Sequence, residues 1–194
     1  MKKKFKKELS ILTSALDIFA KKGFYNTSIS DIAKNINISV GSIYNYFPSK
    51  KTIARASISL VTKKLASKLR YINKQQISTE EKIYYFVQSY FEFTQKHPEM
   101  IEYFFKVYLS NRELFCEDEQ CGFELAKEFV DEVEQLITNG IKNGDFKQQN
   151  FFVSFSCITG ILGGMTFLNG EKVLDKEIKS YSKEISSIIL NSLK

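Results

Sequence analysis

Between Thr27 and Lys51 the chain gathers hydrogen-bond donors at close spacing: Thr27, Ser28, Ser39, Ser42, Tyr44, Asn45, Tyr46, Lys50 and Lys51. None stands beside the histidine, second carboxylate or metal-type cluster that would make a nucleophile or a general acid. What they share is the ability to donate hydrogen bonds and positive charge to oxygen-rich anions. Tyrosine and lysine suit phosphate oxygens, as do Thr27 and Ser28 at a helix start, and a serine such as Ser42 can also reach a base edge. Val40 and Gly41 lie among them and keep the backbone slim, and the Val40 methyls can meet a thymine methyl. The set fits a groove of a polyanion better than a reaction centre. Tyr44 and Tyr46, beside Phe47, also admit a plainer reading as packing residues.

The positioning elements are short. Ser28 and Asp31 form a Ser-x-x-acid capping box opening a helix with Ile32, Ala33 and Ile36 inward. Asn37 sits at the turn, where asparagine tolerates positive φ. Ser39 caps the next helix, which packs through Ile43 and Phe47. Pro48 forbids simple continuation, and Ser49 starts a longer helix to about Ile72 with Ala54, Ile58, Val61, Leu65 and Leu69 on one face. Ahead of the pair, Phe5, Leu9, Leu12, Leu16 and Phe19 mark an amphipathic helix that Gly23 stops in a left-handed cap. Two short helices, a tight turn and a sharp exit make a helix-turn-helix, the unit that lays its second helix in the major groove. Lysines 2, 3, 4, 6 and 7 read as an arm ahead of the first helix, suited to phosphates or the minor groove, or equally to a solvated tail.

Residues 23–51 resemble the DNA-binding domain of the TetR family of bacterial transcriptional regulators. The residues that carry the likeness are Gly23-Phe24, Thr27, Ile32-Ala33, Ser39, Gly41, Ile43-Tyr44, Tyr46-Phe47 and Ser49-Lys50, and the likeness covers roughly residues 5–60. Asn35-Ile36-Asn37-Ile38 departs from the family's usual Ala-Gly-Val before the capping serine, and Asn37 can stand in for the turn glycine. The resemblance implies phosphate contacts for Tyr44, Tyr46 and Lys50, with Val40 and Asn45 tuning sequence choice. It also implies a homodimer paired through the last two helices, here about 150–168 and 175–192.

Charge divides the chain in the same way. Residues 1–70 hold 15 Lys and Arg against 3 Asp and Glu, and residues 71–194 hold 13 against 19. A basic head on an acidic body suits a nucleic-acid reader attached to something else, although a lysine-rich solvated surface would give the same count. With two prolines and almost no alternating pattern, the fold expected is all-α. It comprises about nine helices: a helix-turn-helix domain over 1–50 joined by a long helix to an effector-binding and dimerisation domain over 51–194. Further helices are expected from the Ser78–Glu81 capping box, from Pro98 with Ile101, Phe104, Phe105 and Tyr108 inward, and from Glu117 to Asn139. Breaks are expected at Asn139-Gly140, Asn143-Gly144 and Asn169-Gly170, and a last helix is expected to carry Ile178, Tyr181, Ile185, Ile188 and Ile189.

The body is expected to pair and to sense. Phe152, Gly160, Gly163, Gly164, Tyr181, Ile185 and Ile188 are the expected dimer contacts, the glycines permitting close helix approach. Phe86, Tyr90, Phe93, Tyr103, Phe104, Tyr108, Phe123 and Phe155 suit a cavity for a lipophilic or aromatic effector, or else simply build the core. Residues 151–168 are 18 without a charge, about 27 Å as a helix, close to a bilayer core. Ser154, Ser156, Thr159, Thr166 and three glycines weaken that reading, and a helix buried between its own domain and a second subunit is preferred. Cys116 and Cys121 bracket Glu117, Asp118 and Glu119 but match no common zinc spacing, so no metal or cofactor is expected. His97 before Pro98 marks a helix boundary. With no catalytic constellation, the expected protein is a cytoplasmic, ligand-released repressor of a near-palindromic DNA operator and not an enzyme. The alternatives are a ligand-independent DNA-binding protein and, less favoured, a membrane-associated protein using residues 151–168.

Overall fold

The computed structural model describes residues 2–116 and 122–194, and among these every regular element is helical. In chain order they are α1 (Lys2–Lys22), α2 (Ile29–Asn35), α3 (Val40–Tyr44), α4 (Lys50–Asn73), α5 (Thr79–Lys96), α6 (Pro98–Tyr103), α7 (Lys127–Lys142), α8 (Phe151–Gly170) and α9 (Ser182–Leu193). The chain divides into two compact units: Met1–Lys63 with His97–Lys127, and Lys64–Lys96 with Glu128–Lys194. The helix α4 contributes residues to both.

In the first unit, α1 buries Ile11, Leu12, Ala15, Leu16, Ile18 and Phe19. It ends where Gly23 adopts φ 77° and donates its N–H 2.8 Å to the Phe19 carbonyl. Two expectations are corrected here. The lysines taken as an arm belong to α1, which opens at Lys2, because lysine is a good helix former and no Gly or Pro interrupts 2–22. Phe5, given as part of the inward stripe, is 68% exposed, because the apolar spacing continues past the burial that begins at Ile11. The helix α6 lies along α1. The Tyr103 ring sits 5.7 Å from that of Phe19, and its hydroxyl donates 2.8 Å to the Ala54 carbonyl of α4. Beyond Tyr103 the helix passes into a π turn over Phe104–Tyr108, with the Leu109 N–H reaching the Phe104 carbonyl at 3.1 Å. The extra residue in that turn brings Val107 inward and leaves Phe104, Phe105 and Tyr108 only half-buried, against the inward set expected.

In the second unit, α5 packs on α9, and α8 packs on both. The core is built from Ile83, Phe86, Val87 and Phe91 of α5, Val133 and Leu136 of α7, Ile158 and Leu162 of α8, and Ile189 and Leu193 of α9. One ionic cluster is set into it. Glu132, nearly buried, meets Arg70 Nε at 2.5 Å, and Asn73 donates to its carboxylate at 3.1 Å and to its backbone carbonyl at 3.0 Å. Removing one member of such a cluster strands a charge and costs more than the cluster itself contributes. The expected break at Asn139-Gly140 is absent, since α7 runs through it to Lys142. Gly140 is required for packing instead: a Cβ there would lie 2.2 Å from the Phe146 ring. Gly144, at φ 79°, is the residue in the turn that follows. The helix expected from Glu117 starts at Lys127 after a 3-10 stretch over Gly122–Ala126, and residues 117–121 lie outside the described residues. Ile178 and Tyr181 stand in a 3-10 turn ahead of α9.

Candidate nucleic-acid interface

The α2–α3 pair is too short to be stable by helix propensity, so packing and caps must hold it. Ile32, Ala33, Ile43 and Phe47 anchor it inward. At the start of α2, the Asp31 carboxylate accepts from the Ser28 N–H at 2.8 Å and from the Ser28 hydroxyl at 2.7 Å, while the Asp31 N–H donates to that hydroxyl at 3.1 Å. These Ser28 bonds hold the Asp31 carboxyl below the ordinary carboxylate range. Asn37 makes the turn at φ 54°. Ser39 caps α3, accepting from the Ser42 N–H at 3.2 Å, and the two hydroxyls lie 2.9 Å apart. The outward side of α3 then presents Gly41, Tyr44 and Asn45 exposed, with Val40, Ser42 and Tyr46 half-buried. A Cβ on Gly41 would meet nothing within 4 Å, so the fold does not demand glycine there.

Two members of the expected donor set have other work. Thr27 is 2% exposed and its hydroxyl donates 2.8 Å to the Gly23 carbonyl, closing the turn after α1, so it presents no side-chain donor outward. Lys50, expected to clamp a phosphate, points back into its own unit. Its ammonium donates to the carbonyls of Thr27 at 2.6 Å, Phe24 at 2.8 Å and Tyr25 at 3.5 Å, and lies 4.4 Å from the centre of the Phe24 ring. Burial pulls its pKa below the ordinary lysine range. Ser28 is exposed, but its donors serve Asp31. Lys51 is half-buried. Sequence reasoning missed the Lys50 clamp and the Tyr25 hydroxyl that donates 3.3 Å to Glu113. The available signal was a cation in the first turn of α4, where the helix dipole disfavours positive charge unless it is otherwise engaged.

The eight residues proposed to sense an effector fall into both units. Tyr103, Phe104, Tyr108 and Phe123 belong to the first, and Phe86, Tyr90, Phe93 and Phe155 to the second. Tyr103 is fully buried with its hydroxyl used by Ala54, and Phe123 is exposed. Phe104 stacks on Tyr108 at 5.1 Å, and Phe86 lies 6.2 Å from Phe129. Tyr90 accepts from the Thr166 hydroxyl at 3.2 Å, and burial raises its pKa. The second unit also has a cleft of 570 Å³ walled by Tyr71, Ile72, Ile77 and Tyr85, with Lys68 and Gln75 at its polar margins. None of the eight lines it. Its tyrosines stand on the outward faces of α4 and α5, where periodicity gives no signal.

Of the residues expected at a dimer contact, Phe152, Gly160, Gly164 and Ile188 are exposed, and Gly163 and Tyr181 are half-buried. Tyr181 donates its hydroxyl to Asp175. Ile185 is buried inside its own unit, so it is not available to a partner. The helix α8 buries only Ser154, Ile158, Leu162 and Thr166. It is therefore not enclosed on all sides by the described residues, among which Val153, Gly160, Gly164 and Phe167 form an uncovered stripe. By length and composition alone α8 is apolar enough to cross a bilayer, with 22% of that window buried. Among the described residues no three His, Cys, Asp or Glu side chains converge as for a metal, and Cys121 with residues 117–119 lies outside them.

Known proteins can be set beside this geometry. Residues 11–56 match the profile of bacterial regulatory proteins of the tetR family, and residues 61–194 match that of the C-terminal region of QacR-like proteins. The fatty acid metabolism regulator protein of Bacillus subtilis (strain 168) is 27% identical over 152 residues, 76% of this chain and 75% of that one. The crystal structure of the regulator FadR from Bacillus subtilis in complex with stearoyl-CoA superposes with a TM-score of 0.79 at 17% identity, covering 96% of this chain and 99% of that one. A TetR family transcription regulator from Marinobacter aquaeolei VT8 gives a TM-score of 0.84 at 14% identity, over 100% of this chain and 98% of that one. At such identities the superpositions speak for the fold.

Proposed function

The chain belongs to the TetR family of bacterial regulatory proteins, DNA-binding regulators of transcription and not enzymes, and from that premise we propose that it is a cytoplasmic repressor released from its operator by a long-chain acyl effector. It binds as a homodimer. The observation that carries this reading is the pairing of two surfaces. One is the outward side of α3, slim at Gly41 and hydroxyl-bearing at Tyr44. The other is the uncovered α8 stripe, whose apolar residues need a partner to leave water. Two-fold pairing through α8 and α9 sets two copies of α3 on half-sites about 34 Å apart, or a multiple of that. Val40, Gly41, Ser42 and Asn45 read base edges, while Tyr44, Tyr46 and Lys51 hold phosphates.

An acyl effector is favoured by the aromatic and aliphatic interior of the second unit and by the fatty acid regulator among the relatives. Its neutral chain matches apolar faces that hold few charges. Release requires the effector to bind the DNA-free conformation more tightly than the bound one. The helix α4 shares its length between the two units and carries that preference to the reading head.

The test is a gel-shift titration with the duplex upstream of the chain's own gene, at graded salt, with and without stearoyl-CoA. Selective binding that stearoyl-CoA abolishes supports the reading. Binding that no acyl thioester alters leaves a ligand-independent DNA-binding protein, and binding no better than to random duplex removes the regulatory reading.

A further inference from the structure

We infer that the cleft between α4 and α5 in the second unit is a small-molecule site that takes a flat aromatic carboxylate. This goes beyond the function proposed above, which needs only the interior of that unit, and it holds with or without an acyl effector.

The cleft has the size and the lining of a ligand site. Its 570 Å³ suit a drug-sized molecule, and its surface is mostly apolar. Every lining residue lies between Ser67 and Ser89, so one compact unit builds it. Tyr71 comes from α4 and Tyr85 from α5, and they are 69% and 44% exposed. Tyr85 rests edge-on against Tyr84, with ring centres 5.5 Å apart. Tyr71 has no ring neighbour and no side-chain hydrogen bond among the described residues. The two rings thus line one cleft without stacking on each other. Their faces, with Ile72 and Ile77, are left for a planar body, and aromatic rings favour such contacts beyond the area that they bury. A flexible chain would give up more rotamer freedom for the same partial burial.

Charge sets the other end of the ligand. Lys68 is the one charge in the lining, and the lining holds no acid. Glu92, one turn beyond Ser89 on α5, is already engaged. The hydrogen bond from Lys179 at 2.6 Å, with the charges of Lys96 and Lys68 added, holds its carboxyl below the ordinary carboxylate range. Three ammonium groups therefore act on one carboxylate, which leaves positive charge in excess beside the cleft. Lys68 makes no hydrogen bond or ion pair among the described residues, so its three protons are open to an anion. A single lysine in the lining balances a single negative charge, as on a carboxylate, better than a doubly charged phosphate.

The test is a titration of the full chain with naphthoate, followed by the ligand's own fluorescence, which no Trp in the chain obscures. Saturable binding is expected. Tyr71→Ala should weaken it about fivefold. Lys68→Gln should weaken it about tenfold. Both side chains are exposed, so both variants should melt at the wild-type temperature. Naphthamide, the same ring without the charge, should bind less tightly than naphthoate and lose nothing further in Lys68→Gln. Octanoate, the charge without the ring, should also bind less tightly. The inference is overturned if neither naphthoate nor biphenylcarboxylate binds, if octanoate matches naphthoate, or if either variant binds naphthoate as the wild type does.

Saturating stearoyl-CoA should leave naphthoate bound. Displacement would put both ligands in one place and overturn a separate site. A chain that binds naphthoate in this way, yet holds its DNA regardless of stearoyl-CoA, fails the acyl reading and keeps the cleft, so the two failures are told apart.

Discussion

The α2–α3 pair and α8 solve opposite problems. The pair totals 12 helical residues, too few to persist alone, and almost every polar group at its ends is tied down: Ser28 with Asp31, Ser39 with Ser42, Lys50 with the entering turn. Its outward side is small and free of large apolar surface apart from Tyr44. The helix α8 has 20 residues, yet much of its apolar surface meets nothing among the described residues. A short element is completed from within by hydrogen bonds. A long apolar one has to be completed from outside by burial. Stability and recognition are therefore separable in the reading pair and inseparable in α8.

The largest effect should come from putting charge on the stripe. Val153 and Phe167 are exposed, so Val153→Asp with Phe167→Asp should leave the monomer folded. Sedimentation should then show a single chain, and affinity for the selected duplex should fall about 100-fold or more as the second half-site is lost. A double variant that stays dimeric would dissolve the contrast. Ile43→Ala follows. Ile43 is completely buried beneath α3, and its truncation should cost about 2–5 kcal/mol in chemical denaturation. Gly41→Ala sharpens the separation within the pair. Nothing lies within 4 Å of the added methyl, so the melting temperature should hold or rise while specific DNA affinity falls. A fall in both would mean that the glycine serves the fold.

Ser28→Ala is the smallest of the set, about 1 kcal/mol for a lost N-cap. It should also remove an acid-linked part of stability. The folded-state pKa of Asp31 is depressed by Ser28, so its contribution is present above the ordinary value of 3.8 and is lost as pH falls through the lower folded value. Below about pH 4 the difference between wild type and Ser28→Ala should shrink. A constant difference across that window would mean that the cap does not act through the carboxylate.

The reading head was legible because its determinants are local. A capping box spans four residues, and the left-handed turns announce themselves as Gly23 and Asn37. The helical content was legible for the same reason. What periodicity does not encode is which neighbour a residue meets. Lys50 stands in the phosphate-contact position of the motif but is aimed by carbonyls 23 to 26 residues earlier, a distance at which sequence pattern is silent. Tyr103 has the spacing of a cavity-lining residue, yet its hydroxyl ends on Ala54. Ile185 and Ile188 are both apolar on α9, and only packing shows that the first faces inward and the second outward. Gly140 reads as a break and is instead a seat for Phe146.

The π turn over Phe104–Tyr108 has a consequence for how this chain lines up with its kin. An i→i+5 turn stores one more residue than the α-helix around it. Deleting a single residue there would let α6 run on in ordinary register, so relatives with a regular helix at this place should align with a one-residue gap between 104 and 108. The gap's presence or absence then becomes a marker by which subgroups of the family can be sorted before any ligand is known.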